Sequence, residues 1–461
     1  MKTRLQKLRR KCTKFRDDAR GNVAIFFAFG AFAVIGTVGI AIDTSVAYNV
    51  RSQLAAAVDA AALAGARNYA SPTRDADIQR YFDANFEAGY MGSVLEPLSI
   101  VPDDQARTVT VTARANIPTF FMNIFGTDST DVAATAEATL SSRDVEVALV
   151  LDVTGSMDGS RMTSLKAAAI ELVDIVVQDL QDPFYSKVAL VPYSNSVNVG
   201  SYATQVRGAI TPGGCTYPDA PSCEDFTFTR QSGGSTTFAA TTCATERSGT
   251  HLSTDAAPSL APLGTHYHRP DGGYNPCPAA TIMPLTSNKA ALNSAINGLT
   301  TGGSTAGQIG TAWGWYMISP NFAYLFPGEG KPANYGAIHL GQEVLKVVVI
   351  MTDGDFNTIY HSGVVANNST DGSGNNDHKI NQAGTNGSAF DQAQALCTAM
   401  KAEGVKVYTV GLELATLPAA TTFVNNCATD ADHVYLPESG TALKQAFQDI
   451  ARQVSNLRIS M

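Results

Sequence analysis

The sequence predicts an α/β protein built in series: an N-terminal transmembrane helix with a helical stalk, a small α+β region, and a doubly wound α/β domain interrupted by a disulfide-stapled insertion. Three observations predict it. Val23 to Ile42 is a run of 20 residues without a charge, the length that crosses a bilayer as a helix. From Val145 onward, short apolar runs alternate with amphipathic helical segments, the pattern of a mostly parallel sheet covered on both faces. Between about residues 200 and 288 that alternation gives way to Gly, Ser, Thr and Pro with four cysteines.

At 461 residues and 44% hydrophobic, the chain is too long for one average domain and too apolar for disorder. Residues 1–20 hold nine Lys/Arg against Asp17 and Asp18, a net +7, so with a formal charge of -9 the remainder carries -16. That balance excludes a generally basic nucleic-acid binder. The cations before the apolar run and Asp43 after it predict a cytoplasmic N-terminus and an exported body. A secretory signal peptide is the alternative, but its apolar core is usually about 7–15 residues. The expected topology is a single-pass anchor with its N-terminus cytoplasmic and its body exported.

The expected divisions are a basic segment (1–20), a transmembrane helix and Ala-rich stalk (21–70), a small α+β region (71–142) and the large α/β domain (143–461). Tyr48 to Tyr69 has high helix propensity and few bulky groups, fitting a stalk or a surface that packs on neighbouring subunits. A short helix is expected near Asp75 to Phe86, then strands at Thr108 to Ala115, which alternates with period two, and Asp131 to Thr139. Buried strands are expected at Val145 to Leu151, Val188 to Val191, Val347 to Met351, Val405 to Val410 and His433 to Leu436. Helices are expected at Lys289 to Asn297, Ala389 to Lys401, Thr441 to Val454, and after Asp152, where Met162, Leu165, Ala169, Leu172, Val176 and Leu180 share a face.

Cys12 falls on the cytoplasmic side and six cysteines on the exported side, where oxidation favours disulfides over buried free thiols. Segmentation pairs Cys397 with Cys427 and leaves Cys215, Cys223, Cys243 and Cys277 to pair within the insertion; spacing alone does not choose among the arrangements.

Ligands of open α/β sheets gather beyond the carboxyl ends of the strands. There the sequence places Asp152, Thr154 and Ser156 after the first buried strand, Gly302-Gly303-Ser304-Thr305 in a Gly-rich loop, and Thr352-Asp353-Gly354 after a central strand. Two carboxylates with several hydroxyls suit a hard cation: Mg²⁺, or Mn²⁺ or Ca²⁺ in its stead. Taken singly, such residues are also ordinary helix caps and turn formers.

In this order, D-x-T-G-S-M, G-G-S-T and T-D-G resemble the metal-ion-dependent adhesion site of von Willebrand factor type A domains, which have a Rossmann-like fold. The resemblance implies Asp152, Thr154 and Ser156 as first-loop ligands, Ser304 at the usual Thr position with Thr305 beside it, and Asp353 acting directly or through water. It also implies that an acidic residue of a protein partner completes the coordination sphere. Arg20 to Ala24, with Asp59 to Ala64, resembles the TadE/TadG-like segment of Flp (Tad) pilus-assembly proteins over residues 18–66. That segment joined to a von Willebrand type A domain is the arrangement of TadG-type proteins. Processed pilins of the system carry Glu five positions after the cleaved Gly. Phe26 stands there, so the anchor is expected to stay uncleaved.

Other signals are weaker. His266 and His268 form an H-x-H without a third zinc ligand in register. Asp371, Ser373, Asn375 and Asp377 mimic the start of a calcium loop, but Asn376 replaces its Gly and Gln382 its Glu. Trp313, Trp315, Tyr316, Phe322, Tyr324 and Phe326 fit packing beneath the insertion or a partner surface. The sequence lacks the G-x-S-x-G, H-E-x-x-H, Walker and strand-linked G-x-G-x-x-G motifs. The expected function is therefore a membrane-anchored, non-enzymatic pilus-assembly or adhesion component holding an acidic protein partner through the cation. The alternatives are a von Willebrand type A adhesin or periplasmic scaffold unrelated to pili, and a hydrolase.

Overall fold

A computed structural model describes residues 22–67, 69, 71–103, 108–139, 143–219, 221–269, 274–370 and 376–459. The basic segment 1–20 and most of the calcium-loop mimic, 371–375, lie outside them. The chain divides into two compact units, Met1–Ser141 and Ser142–Met461.

In the first unit, helix α1 (Asn22–Arg67) runs unbroken for 46 residues, with no proline to interrupt it. Its most apolar 18-residue window has a mean hydropathy of 2.4 and is almost wholly exposed, so it is long and apolar enough to cross a membrane. The C-terminal half behaves differently. Val50, Leu54, Ala57, Val58 and Ala61 recur on one face and are fully buried with Ile78 and Phe82 of helix α2 (Arg74–Asn85) and Val109, Val111 and Ala113 of the sheet. That sheet is antiparallel, with β3 (Thr108–Pro118) flanked by β1 (Val94–Leu95), β2 (Ser99–Asp103) and β4 (Ser129–Thr139).

The expected stalk is thus corrected. The Ala-rich stretch forms the spine of the small α+β region, and its small side chains let α1 and α2 approach closely. At Gly65 a Cβ would lie 2.6 Å from Ile78 Cδ1.

The second unit is built on β5 (Val145–Asp152), α3 (Ser160–Val176), β6 (Ser186–Tyr193), β7 (Val197–Asn198), α4 (Ala203–Arg207), β8 (Thr211–Thr216), β9 (Cys223–Thr229), β10 (Ser235–Thr245), β11 (Gly264–His268), β12 (Met283–Thr286), α5 (Lys289–Asn297) and α6 (Gly307–Tyr316). It continues with β13 (Ile338–His339), β14 (Gln342–Glu343), β15 (Leu345–Thr352), β16 (Tyr360–His361), β17 (Val364–Val365), α7 (Ala389–Ala402), β18 (Lys406–Gly411), α8 (Pro418–Cys427), β19 (Val434–Tyr435) and α9 (Gly440–Ile459).

Strands β19, β18, β15, β5 and β6 lie side by side and parallel. Successive residues of β5 face opposite ways, Val147, Leu149 and Leu151 toward α3 and α9, Ala148 and Val150 toward α6, α7 and α8. Burial on both faces is why β18, β15, β5 and β6 read as continuous apolar runs; β19, expected as a buried strand, lies at the sheet edge and is only half-buried.

Two elements depart from expectation. Helix α3 ends at Val176, where Val177 turns extended, so Leu180 is off its face and exposed. The segment expected as an irregular insertion is largely strand: β7, β10, β9 and β8 extend the same sheet, and β12 pairs with β6. Its own small core, Phe226, Phe228, Phe238 and Tyr267, also takes Val364 and Ile380 from beyond β15.

The bridges are Cys215–Cys223, Cys243–Cys277 and Cys397–Cys427. The last ties α7 to the end of α8 across 30 residues, with both cysteines fully buried. A loop of that length is worth roughly 3–4 kcal/mol in the chain-entropy account. Cys397→Ala/Cys427→Ala is therefore expected to lower the thermal midpoint of the full-length protein by on the order of 10 °C. An unchanged midpoint by scanning fluorimetry would contradict that.

Candidate metal centre

Asp152 and Thr352 end neighbouring parallel strands, β5 and β15, paired with Val150 opposite Ile350. On the other side Asp152 is level with Tyr193, the last residue of β6. Beyond these ends the chain turns sharply. Thr154 leads into a single 3₁₀ turn, Gly155–Met157, before α3 begins.

The Gly-rich loop before α6 is laced to this turn through the backbone: Gly155 N–H donates to Gly303 O at 3.0 Å and Gly302 N–H to Val153 O at 2.9 Å. Gly303 has φ +83°, and a Cβ there would meet Asn195 Oδ1 at 2.1 Å, so only glycine fits. Asn195 in turn accepts from Ser304 N–H at 2.8 Å.

Four side-chain oxygens form a chain across the strand ends. Thr154 Oγ1 lies 2.6 Å from Asp152 Oδ1, the Thr154 and Ser156 hydroxyls are 2.9 Å apart, and Ser156 Oγ lies 2.6 Å from Asp353 Oδ1. The outer contacts commit each hydroxyl proton to a carboxylate, which leaves none for the contact between the hydroxyls. With both carboxylates ionised, that contact lacks a proton.

Asp152 is fully buried, its second oxygen accepting from Tyr193 OH and Thr352 Oγ1, both at 3.0 Å. Burial first and the charge of Asp353 second push its carboxyl up to about 6. Asp353 is raised as well, chiefly by burial, although Ser156 and Arg161 pull the other way.

The donor set consists of hard oxygens alone. Its spacings of 2.6–2.9 Å compare with octahedral edges of about 3.0 Å around an ion bound at about 2.1 Å, so the chemistry fits Mg²⁺ better than a larger ion. Among the described residues no group of three or more His, Cys, Asp or Glu is placed to hold a metal. The fit rests on hydroxyls. Ser156 and Gly302 are exposed, so the cluster opens to solvent on that side.

Of the expected ligands, Asp152, Thr154, Ser156 and Asp353 are brought together. The loop carrying Ser304 and Thr305 is adjacent, with Thr305 buried and Ser304 half-buried. Its tie to the cluster is made by backbone groups, and Thr305 N–H and O are engaged by Asn357.

Sequence reasoning missed Arg161. Its guanidinium donates to Asp353 Oδ2 at 3.0 Å, to Ser156 O at 3.2 Å and to Glu413 at the end of β18. Tyr193 and Glu413 follow the same strand-end rule that located Asp152 and could have been found by it. Arg161 could not, since its partners lie 192 and 252 residues away.

The weaker signals resolve into structure. His266 is buried and donates or accepts at Thr241 Oγ1, 2.9 Å away, and burial holds its ring down to about 3, a neutral core imidazole. Trp313, Trp315, Tyr316, Phe322 and Phe326 are buried in the main core, while Tyr324 is exposed.

A family model described as "Putative Flp pilus-assembly TadE/G-like" matches residues 21–68. No curated protein matches the chain. Among solved structures, the pilus adhesin SpaC from Lactobacillus rhamnosus GG is similar at 12% identity and a TM-score of 0.36, over 79% of this chain and 35% of that one. The chain thus spans about a third of the SpaC structure. The vWF domain of the type V pili tip protein Mfa5 from Porphyromonas gingivalis is similar at 14% identity and a TM-score of 0.37, over 69% of this chain and 97% of that one. The pilus adhesin RrgA from Streptococcus pneumoniae is similar at 11% identity and a TM-score of 0.35, over 79% and 49%.

Proposed function

We propose that the chain is a membrane-anchored, non-enzymatic assembly or adhesion component of a Tad pilus system, of the TadG type. In this reading the second unit is a Rossmann-like von Willebrand factor type A domain that holds an acidic protein partner through a divalent cation. The observation that carries the cation is the oxygen chain from Asp152 through Thr154 and Ser156 to Asp353, which brings two carboxylates and two hydroxyls together at the strand ends. The pilus assignment is supported by the family match over residues 21–68. The bacterial inner membrane, with the body periplasmic or reaching the cell surface, is supported by that family match together with the apolar run and the net +7 before it.

Asp152, Thr154, Ser156 and Asp353 would hold the ion, with Ser304 or Thr305 from the adjacent loop. When bound, the ion supplies an open coordination position for a carboxylate. Arg161 keeps Asp353 aimed at Ser156, Asn195 beyond the end of β6 holds the Gly-rich loop at Ser304 N–H, and the Gly155–Gly303 and Gly302–Val153 backbone bonds hold that loop against the first.

The test is a deletion strain complemented with wild-type or Asp152→Ala protein, scored for pili by electron microscopy and for surface attachment. Deletion is expected to abolish pilus-dependent attachment, and Asp152→Ala to fail to restore it while reaching the membrane in normal amount. Normal pili and attachment in the deletion strain would overturn the pilus role. Full rescue by Asp152→Ala would leave the pilus role and remove the metal from it.

A further inference from the structure

Between β3 and β4, the turn Thr119–Gly126 (TFFMNIFG) folds back onto α1 within the first unit. The contact face of α1 is Gly36, Gly39 and Asp43, spaced three and four apart and therefore on one side of the helix. The glycines leave room for rings: a Cβ on Gly39 would meet Phe121 Cβ at 2.5 Å, and one on Gly36 would meet Phe125 Cζ at 3.0 Å. Phe125 also packs edge-on against Phe32, with centroids 5.6 Å apart. Gly36 lies seven residues before Asp43, about 10 Å along the helix, inside the charge-free run. Phe125 therefore sits at a depth that, on the reading of α1 as membrane-spanning, is hydrocarbon.

The turn shows apolar groups outward at that level. Phe120 is 82% exposed, Ile124 67% and Phe125 50%. Most of its backbone N–H groups, by contrast, are paired. The Asp43 carboxylate accepts from Phe120 N–H at 3.1 Å, Phe121 N–H at 2.9 Å and Met122 N–H at 2.7 Å. Ile124 N–H donates to Phe121 O, Gly126 N–H to Asn123 O and Thr127 N–H to Met122 O. The Thr119 hydroxyl donates to Thr127 O. Irregular chain is excluded from lipid by unpaired amides, and here Asp43 takes up three of them at once while its own charge is occupied. A soluble turn gains nothing from three exposed large apolar side chains beside a spanning helix. A turn at the edge of hydrocarbon gains burial for each, as interfacial aromatic residues do.

We propose that the turn Thr119–Gly126 is a second membrane contact, inserting Phe120, Ile124 and Phe125 into the leaflet on the Asp43 side of the span. It fixes the first unit against the bilayer surface instead of leaving it on a freely rotating helix. The occupant of this surface is lipid acyl chain. The inference rests on the reading of α1 as membrane-spanning, and the test separates the two.

Full-length protein carrying Cys12→Ser, with its disulfides intact, is given a single cysteine by Ile124→Cys, Phe120→Cys, Val34→Cys in the span, or Leu260→Cys on an exposed loop of the second unit. Each is labelled with an environment-sensitive fluorophore, reconstituted in phosphatidylglycerol/phosphatidylethanolamine vesicles, and exposed to lipids brominated on the acyl chains. The expected result is a blue-shifted emission at residues 124 and 120, quenched to the same order as residue 34, with residue 260 unquenched. Quenching at 34 but water-like emission at 124 and 120 overturns the insertion and leaves the anchor standing. Quenching at none of the positions overturns the spanning reading and the insertion with it. Blue-shifted but unquenched emission at 124 and 120 assigns the surface to a protein contact and overturns the lipid occupant.

Discussion

Asp152→Asn is expected to lower the affinity of the protein for Mg²⁺ or Mn²⁺ by roughly 100-fold or more, since it removes one of two carboxylates from a site whose affinity follows ligand charge. The fold is expected to survive. Tyr193 OH and Thr352 Oγ1, which donate to Asp152, have other acceptors at 3.1 Å on Met351 O and 3.2 Å on Gly354 O, so both can turn away from an amide nitrogen. The sign of the pH effect follows from the raised carboxyl. Folded Asp152 keeps its proton to about 6, against an ordinary value of 3.8, so the folded state binds more protons than the unfolded one between those limits. Cation-free wild-type stability therefore falls as pH rises from about 4 to about 6, and the cost above that window is on the order of 2–3 kcal/mol. Asparagine does not titrate. Without cation at pH 7.5 the variant should melt no lower than wild type, while the rise in midpoint that Mg²⁺ gives the wild type disappears. Cation affinity of the wild type should fall about tenfold per pH unit below 6, where the ion must displace a proton. An unchanged Mg²⁺-induced shift in Asp152→Asn, read by scanning fluorimetry, would contradict the assignment.

A second large effect is expected at the opposite end of the same strands. Glu146 of β5 and Lys346 of β15 are paired in register, and their side chains, 0% and 4% exposed, meet at 2.6 Å. Glu146 also accepts from Tyr185 OH and Ala333 N–H, and Lys346 donates to Ile318 O. Lys346→Met leaves a carboxylate buried without its counter-charge, at a cost of about 3–5 kcal/mol. Glu146→Gln/Lys346→Met should be less destabilised than Lys346→Met alone, because the amide oxygen still accepts from Tyr185 and Ala333 while the stranded charge is gone. Equal losses in single and double variants, measured by denaturant unfolding, would show that the pair is not coupled. Mg²⁺ affinity should be untouched in both, because six residues of extended strand put the pair about 20 Å from Asp152.

The parts of the fold visible in the sequence are those whose signal is local. Four of the five parallel strands, β5, β6, β15 and β18, show as apolar runs because both faces are buried. Helix α5 shows because Asn288 caps it by accepting from Ala291 N–H and its apolar residues keep helical spacing. Helix α6 was hidden because Gly310 and Gly314 depress helix propensity, yet each is demanded by packing: a Cβ would meet Tyr193 Cγ at 2.6 Å and Val150 Cγ2 at 2.5 Å. Helix α8 was masked by Pro418 at its first turn and by Thr421, Thr422 and Val424, which read as loop or strand.

The strands of the insertion are rich in Thr and find their partners through long-range pairing, which periodicity does not report. The Ala-rich half of α1 misleads for a related reason. Alanine burial leaves a weak hydrophobic pattern, and the sheet that covers it starts some 40 residues further along the chain. At the site, residue type and strand-end position were enough to pick out Asp152, Thr154, Ser156 and Asp353, but not the Arg161 that pairs with Asp353 from the first turn of α3.

The most direct measurement is a Mn²⁺ titration of chelator-stripped, full-length protein in lipid nanodiscs, followed by electron paramagnetic resonance. The account predicts one Mn²⁺ per chain, displaced by excess Mg²⁺ and absent in Asp152→Asn. Wild-type protein that binds no more Mn²⁺ than Asp152→Asn at pH 7.5 would contradict it.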